Sequence, residues 1–165
     1  MNRQNRSQVR KGFTLIEILI VVIILGILAA IVIPQFTNAS KEAKQSSLVT
    51  MVQSMRSQIA LFKLQHNDRL PGASPLVDSG GTLSQATFWN QMTQFTDLDG
   101  DPVAAKDATH TYGPYMQSIP TNPLNNSQTV AEAAAAGVGF MYDYNGGIGS
   151  GKIWGVDANG AQIPQ

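Results

Sequence analysis

Four groups of residues in this 165-residue chain have types and spacings that could do chemistry. Asp97, Asp99, Asp101 and Asp107 crowd one stretch, and clustered carboxylates suit Ca²⁺, which takes six to eight oxygen ligands. Gly100 is misplaced for an EF-hand loop, however, and the residue eleven after Asp97 is Ala108 rather than an acid. A solvated turn is therefore the favoured reading. Gly146-Gly147-Ile148-Gly149-Ser150-Gly151-Lys152 follows most of a phosphate-binding loop. Ile153 stands where Ser or Thr should hold Mg²⁺, and a strand rather than a helix follows, so a flexible hairpin turn is expected. His66 closes a helical pattern and His110 lies in a loop, and neither is expected to have a Ser, Asp or metal partner. No catalytic set emerges, so the chain is not expected to be an enzyme. The fourth group is a single residue, Glu17.

Glu17 directs attention to the element that must carry it. It is the one charge in an apolar run from Phe13 to Ile33, 21 residues long. A helix of that length rises about 32 Å, enough to cross a hydrocarbon core of about 30 Å. An ionisable group inside such a span costs roughly 2.5–3.5 kcal/mol at the centre and less toward the ends. An anchor alone does not need it, so its carboxylate calls for a partner.

The charge balance surrounds this span unevenly. The first twelve residues carry Arg3, Arg6, Arg10 and Lys11 and no acid, so they are +4 in a chain whose formal net charge is zero. The remainder is −4, which argues against nucleic-acid binding, since that needs a basic face. Lys and Arg beside a span stay cytoplasmic, which places the N-terminus in the cytoplasm and the bulk of the chain across the membrane. A secretory signal peptide has a shorter apolar region and a small-x-small site after it. Here Ala29-Ala30 is followed by Ile31-Val32-Ile33. An uncleaved anchor fits the length but gives no reason for Gly12-Phe13 or Glu17. Cysteine is absent, so there is no disulfide or thiolate metal site.

Pro34 lies where a helix kinks or loses a hydrogen bond. Beyond it Leu48, Val52, Met55, Ile59 and Phe62 recur every three or four residues, which predicts a helix running to about His66 with one apolar face. Asn67-Asp68 and Pro71-Gly72 should stop it. A single helix from Leu15 would be about 78 Å long. Leu70 to Gly81 reads as a linker rich in Pro, Gly and Ser. Phe88, Met92 and Phe95 predict a short helix in Ser84 to Thr96, and Asp97 to Pro102 a turn. Tyr112 to Pro123 reads as a proline-punctuated loop. Thr129 and Glu132 have capping-box spacing, which predicts another short helix over Ala133 to Ala136. Phe140 to Tyr144 and Lys152 to Val156 read as two strands joined by the glycine-rich turn. Phe88, Trp89 and Trp154 are expected in the core.

Lys11-Gly12-Phe13-Thr14-Leu15-Ile16-Glu17, with the basic leader before it and Pro34 after the span, resembles the class III signal of type IV pilins and type II secretion pseudopilins. The resemblance covers about the first 35 residues. It implies that a prepilin peptidase on the cytoplasmic side cuts after Gly12 and methylates Phe13, leaving the helix on the mature chain. It implies that Glu17 of one subunit meets the Phe13 amine of a neighbour, which neutralises both groups and sets subunit register. It also implies that Gly26 and Pro34 bracket a segment able to unwind in a filament; the residues alone show two weak helix positions.

The fold so implied is α+β and pilin-like: a long N-terminal helix, half membrane-embedded and half amphipathic, packed on a small antiparallel sheet. The domain plan is a cleaved leader over 1–12, an assembly helix over 13–34, its amphipathic continuation over 35–67 and a small head over 68–165. Tyr112 to Asn125 resembles the corresponding segment of major pseudopilins, although Asn122-Pro123-Leu124-Asn125 stands where that group more often has an acid and a Trp-Gly pair. Major pseudopilins bind calcium in their C-terminal region. The matching zone here offers Asp143, Asn145, Asp157 and Asn159 without a clear pattern, so no metal ligand or other cofactor is assigned.

The expected function is that of a structural subunit of a type II secretion pseudopilus that drives protein export. Its partners would be other copies in a helical filament, the prepilin peptidase and methyltransferase, an inner-membrane assembly platform with its ATPase, and minor pseudopilins. The subunit would sit once through the bacterial inner membrane with a periplasmic head, then enter a periplasmic or extracellular filament. A type IV pilin for adhesion, motility or DNA uptake is one alternative. A membrane-anchored binding module that never polymerises is another.

Overall fold

The computed structural model describes residues 12–73 and 80–164. The basic leader through Lys11, and residues 74–79 of the expected linker, lie outside the described residues. The chain divides into two compact units, one up to Ser40 and one from Lys41 onward. The first unit consists, from Leu15, of the leading part of helix α1 (Leu15–Gln65). Every described residue from Gly12 to Ser40 is exposed, so the apolar run buries no face within this unit. α1 is long and apolar enough to cross a membrane by length and composition. It continues through Pro34, which has no N–H to offer the Ala30 carbonyl.

In the second unit the predicted stripe is the buried face of α1. Leu48, Val52, Met55, Ile59 and Phe62 are buried, each at most 1% exposed. Full burial of such side chains contributes about 1.5–3 kcal/mol each, and the spacing of three and four decides which face receives it. Asn67 and Asp68 end the helix as the sequence requires. Both have positive φ, 55° and 64°, a conformation that Asn and Asp tolerate. The Asp68 N–H returns to the Lys63 carbonyl at 2.9 Å.

Helix α2 (Gln85–Thr93) is capped by Ser84, whose hydroxyl accepts from the Thr87 N–H. Phe88, Trp89 and Met92 enter the core. Phe95 corrects the expectation of a longer helix. It belongs to β1 (Phe95–Thr96), which pairs antiparallel with β2 (Pro102–Val103) around the Asp97–Asp101 turn. Strand pairing on the far side of Gln94 outweighs the helical spacing of one phenylalanine.

The second sheet contains β3 (Val130–Ala131), β4 (Phe140–Tyr142) and β5 (Ile153–Gly155), in that spatial order. β4 and β5 are the predicted antiparallel pair, with Met141 opposite Trp154. β3 runs parallel to β4, so this sheet is mixed rather than wholly antiparallel. The helix expected after Thr129 does not form. The Thr129 carbonyl takes the N–H groups of Gly139 and Phe140, and the Glu132 carboxylate accepts from the Asn145 N–H. The Thr129 N–H goes to the Ser127 hydroxyl, so neither it nor the Glu132 carboxylate is left for a capping box. Between β4 and β5 the chain makes a 3₁₀ turn at Asn145–Gly147. Phe140, Tyr142 and Ile153 meet the α1 stripe and the α2 aromatics in one core.

Candidate functional site

The first turn of α1 holds Glu17 in a reciprocal bond set. The Thr14 N–H donates to Glu17 Oε2 at 2.8 Å and the Thr14 hydroxyl donates to the same oxygen at 2.7 Å. The Glu17 N–H returns to Thr14 Oγ1 at 3.3 Å. This is a capping box, with a hydroxyl residue at the cap and an acid three residues on, each satisfying a backbone donor that the helix start leaves open. The negative carboxylate also lies at the positive end of the helix dipole. Within one chain, therefore, Thr14 is the partner that the Glu17 carboxylate required. Thr14 is a site residue that the opening reading missed. Its signal was present, since Thr14-Leu15-Ile16-Glu17 is the capping-box pattern ahead of an apolar run.

Gly12 and Phe13 precede the helix, and Phe13 is 85% exposed. A Cβ built on Gly12 or on Gly26 meets nothing within 4 Å. Among the described residues, glycine at these two places therefore answers no packing demand. Gly26 and Pro34 both lie within α1, away from its first turn.

The head holds the other candidates. His66 is fully buried and stacked on Phe62 with centroids 3.9 Å apart. Its Nδ1 lies 2.9 Å from the Phe62 carbonyl, and its Nε2 lies 3.0 Å from Thr96 Oγ1 and 2.9 Å from the Asp97 carbonyl. Burial pulls its pKa below the ordinary 6.5, against those carbonyls, which pull it up. His66 ties the end of α1 to the β1–β2 hairpin and has no acidic side chain on its ring nitrogens. Contrary to the expectation for it, His110 has an Asp partner, Asp107 at 2.8 Å, and the bonds from His110 and Thr109 hold the Asp107 carboxyl well below the usual range. The Asp97 carboxylate caps its own turn through the Asp101 N–H. The glycine-rich loop spends its N–H groups internally: Gly147 and Gly149 donate to the Tyr144 carbonyl, and Ser150 to the Asp143 carboxylate. No phosphate cradle is left there. Trp154 is half-buried, with the Arg56 guanidinium 5.6 Å from its ring centre, so it lies at the core margin rather than inside.

The calcium that the resemblance implies does not fit these residues. Among the described residues, no three His, Asp or Glu side chains converge. The Asp143 carboxylate is engaged by Ser150, and Asp157 Oδ1 accepts from the Asn159 and Ala161 N–H groups. At the end of the pair where β4 begins and β5 finishes, amide donors meet the backbone carbonyls. Asn122, fully buried, gives Nδ2 to the Gly139 and Val156 carbonyls, both at 2.7 Å. Asn125 gives its Nδ2 to the Val138 carbonyl at 2.7 Å.

Comparison with known proteins bears on the N-terminal site first. Residues 8–33 match the family model described as the prokaryotic N-terminal methylation motif. The chain is 31% identical over 101 residues to the type II secretion system core protein G of Klebsiella michiganensis, covering 59% of this chain and 70% of the relative. With the protein of the same name from Pseudomonas aeruginosa it shares 34% over 102 residues, covering 60% and 70%. The chain belongs to the type II secretion system core protein G family. The type IV major pilin PilE1 of Neisseria gonorrhoeae is 34% identical over 85 residues, but these span only 40% of that pilin. These two core protein G relatives are thus matched over a larger share of their length than this pilin is. No solved structure matches. In this chain the helix start carries the capping box, and asparagine amides hold the C-terminal zone of the head.

Proposed function

We propose that the chain is a major pseudopilin that is cut after Gly12, methylated at Phe13 and polymerised into a type II secretion pseudopilus by its α1 helices. The single observation that carries this reading is the first turn of α1, where Glu17 is fixed at the start of a bare apolar helix directly after Gly12-Phe13. Family membership supports it. Cleavage frees an amine at Phe13, which remains protonated after methylation. A neighbour's Phe13 amine offers the Glu17 carboxylate a full opposite charge inside an apolar bundle, where an unpaired carboxylate is costly. Thr14 holds the carboxylate before that exchange, and the exchange fixes the axial register of the two helices. Gly26 and Pro34 supply the weak helix positions at which α1 unwinds as copies pack.

Before assembly the subunit is anchored in the inner membrane by α1, with its N-terminus cytoplasmic and its head periplasmic. The assembly platform and its ATPase supply motion, and the subunit supplies structure rather than catalysis. Replacement of Glu17 by Gln tests the reading. The variant should be cleaved, methylated and membrane-inserted as wild type, while sheared filament fractions lose it. Filaments at wild-type yield from Glu17→Gln would overturn the pairing.

A further inference from the structure

Four backbone carbonyl oxygens converge at the end of the β4–β5 pair, and each receives a side-chain amide. Asn122 Nδ2 serves Gly139 and Val156, both at 2.7 Å. Asn125 Nδ2 serves Val138 at 2.7 Å and reaches Val156 at 3.2 Å and Asp157 at 3.4 Å. The opposite ends of both amides accept from backbone, Asn122 Oδ1 from Leu124 N–H at 2.8 Å and Asn125 Oδ1 from Ser127 N–H at 3.0 Å. Those two N–H groups fix which end of each amide is nitrogen, because only oxygen can accept there.

The loop carrying the two asparagines closes on itself. The Asn122 N–H bonds the Ser127 carbonyl and the Asn126 N–H bonds the Asn122 carbonyl. It presses against the strand so closely that a Cβ on Gly139 would lie 2.5 Å from the Ser127 carbonyl oxygen.

Carbonyls gathered in this way suit either of two occupants. A cation collects them through charge, at 2.3–2.6 Å and with six to eight oxygens. Hydrogen-bond donors collect them through protons. The two cannot share the place, since a cation would face the donors' positive hydrogens. We propose that the Asn122–Asn125 amide pair takes the role that calcium plays elsewhere in this family, so that this head folds and holds its C-terminal turn without a divalent cation. The nearby acids agree with that assignment, because Asp157 is spent on its own turn. The proposal concerns the folding of the head alone and stands whether or not the filament reading holds.

The test is thermal unfolding of the purified full chain in detergent micelles, read by near-ultraviolet circular dichroism in EGTA and in millimolar CaCl₂. The two melting temperatures should agree to within about 1 °C, well below the several degrees that one lost interaction moves a domain of this size. A fall of about 5 °C or more in EGTA, restored by calcium, would overturn the proposal. Asn122→Asp replaces the donor with an oxygen facing two carbonyls. It should lower the melting temperature in EGTA by about 5 °C or more and regain part of that loss in calcium, which the added carboxylate can now share with the carbonyls. An Asn122→Asp protein as stable as wild type in EGTA would overturn the proposal too. If that variant does not fold, Asn125→Ala serves instead. It should melt lower by the same amount in both buffers, and either an unchanged melting temperature or a calcium-dependent one would count against the amide pair.

Discussion

Gly155→Ala is the sharpest test of how α1 docks on the sheet. Gly155 lies in β5 opposite Phe140, and its φ is outside the left-handed region, so alanine is conformationally allowed there. The obstacle is Leu48. A Cβ at position 155 would stand 2.5 Å from Leu48 Cδ2, 2.7 Å from Cγ and 2.9 Å from Cδ1. Leu48 is fully buried on the α1 stripe, so it has no open side toward which to move. Overpacking of a closed core costs about 1–3 kcal/mol. Leu48→Ala by itself should cost about 2–5 kcal/mol through lost burial and the cavity it leaves.

The double variant separates packing from every other cause. With Leu48 truncated, the new methyl enters the vacated space, and the penalty for alanine at 155 disappears. The pair should then be as stable as Leu48→Ala alone, or more stable by up to about 0.8 kcal/mol for one regained methyl-sized group. The coupling energy is thus about 1–4 kcal/mol in the compensating direction. Urea unfolding of the full chain in micelles, followed by tryptophan fluorescence, measures all four corners of the cycle. A Gly155→Ala penalty below about 0.5 kcal/mol, or one of equal size on both backgrounds, would refute the contact as the cause.

Three further outcomes follow from the geometry. Burial pulls the His66 pKa below the ordinary 6.5. Its contribution is complete above about 6.5 and is lost as pH falls from there toward the depressed folded value, because the unfolded chain takes up the proton first. The melting temperature should therefore decline from pH 7 to pH 5, and His66→Gln should flatten that slope. Tyr115 donates its hydroxyl to Gln65 Oε1 at 2.6 Å, and burial pushes its pKa up to about 12. Its stabilising share is full below the ordinary 10.0 and is lost as pH rises toward 12, since the unfolded chain ionises first. Absorbance titration should show one fewer early-ionising tyrosine in Tyr115→Phe only after unfolding. A Cβ at position 12 meets none of the described residues within 4 Å, so Gly12→Val should fold and insert normally. It should nevertheless accumulate with the leader attached, and intact-mass measurement should find residues 1–12 still present.

What the sequence determined by itself is what local pattern and composition can carry. The apolar run with its single acid specified a helix for an apolar medium, because both length and the cost of a charge are one-dimensional facts. The stripe from Leu48 to Phe62 and the Asn67-Asp68 stop were legible for the same reason: helical periodicity and left-handed tolerance are properties of neighbours in the chain. Gly12, Phe13 and Glu17 were readable as a motif. Even Thr14, which was passed over, carried its signal only three residues from Glu17.

The tertiary structure decided wherever a residue's partner is remote. Thr129 and Glu132 have the spacing of a helix start, but Gly139, Phe140 and Asn145 claim their acceptors. The segment therefore became a parallel edge strand. Phe95 has helical spacing from Phe88 and Met92, yet its strand pairing with Val103 took it into β1. Asn122 and Asn125 read in sequence only as departures from a family pattern. Their role exists because Val138, Gly139, Val156 and Asp157 arrive from positions up to 34 residues away. A hydrogen bond is decided by distance in space, and no spacing along the chain encodes which carbonyl will be there.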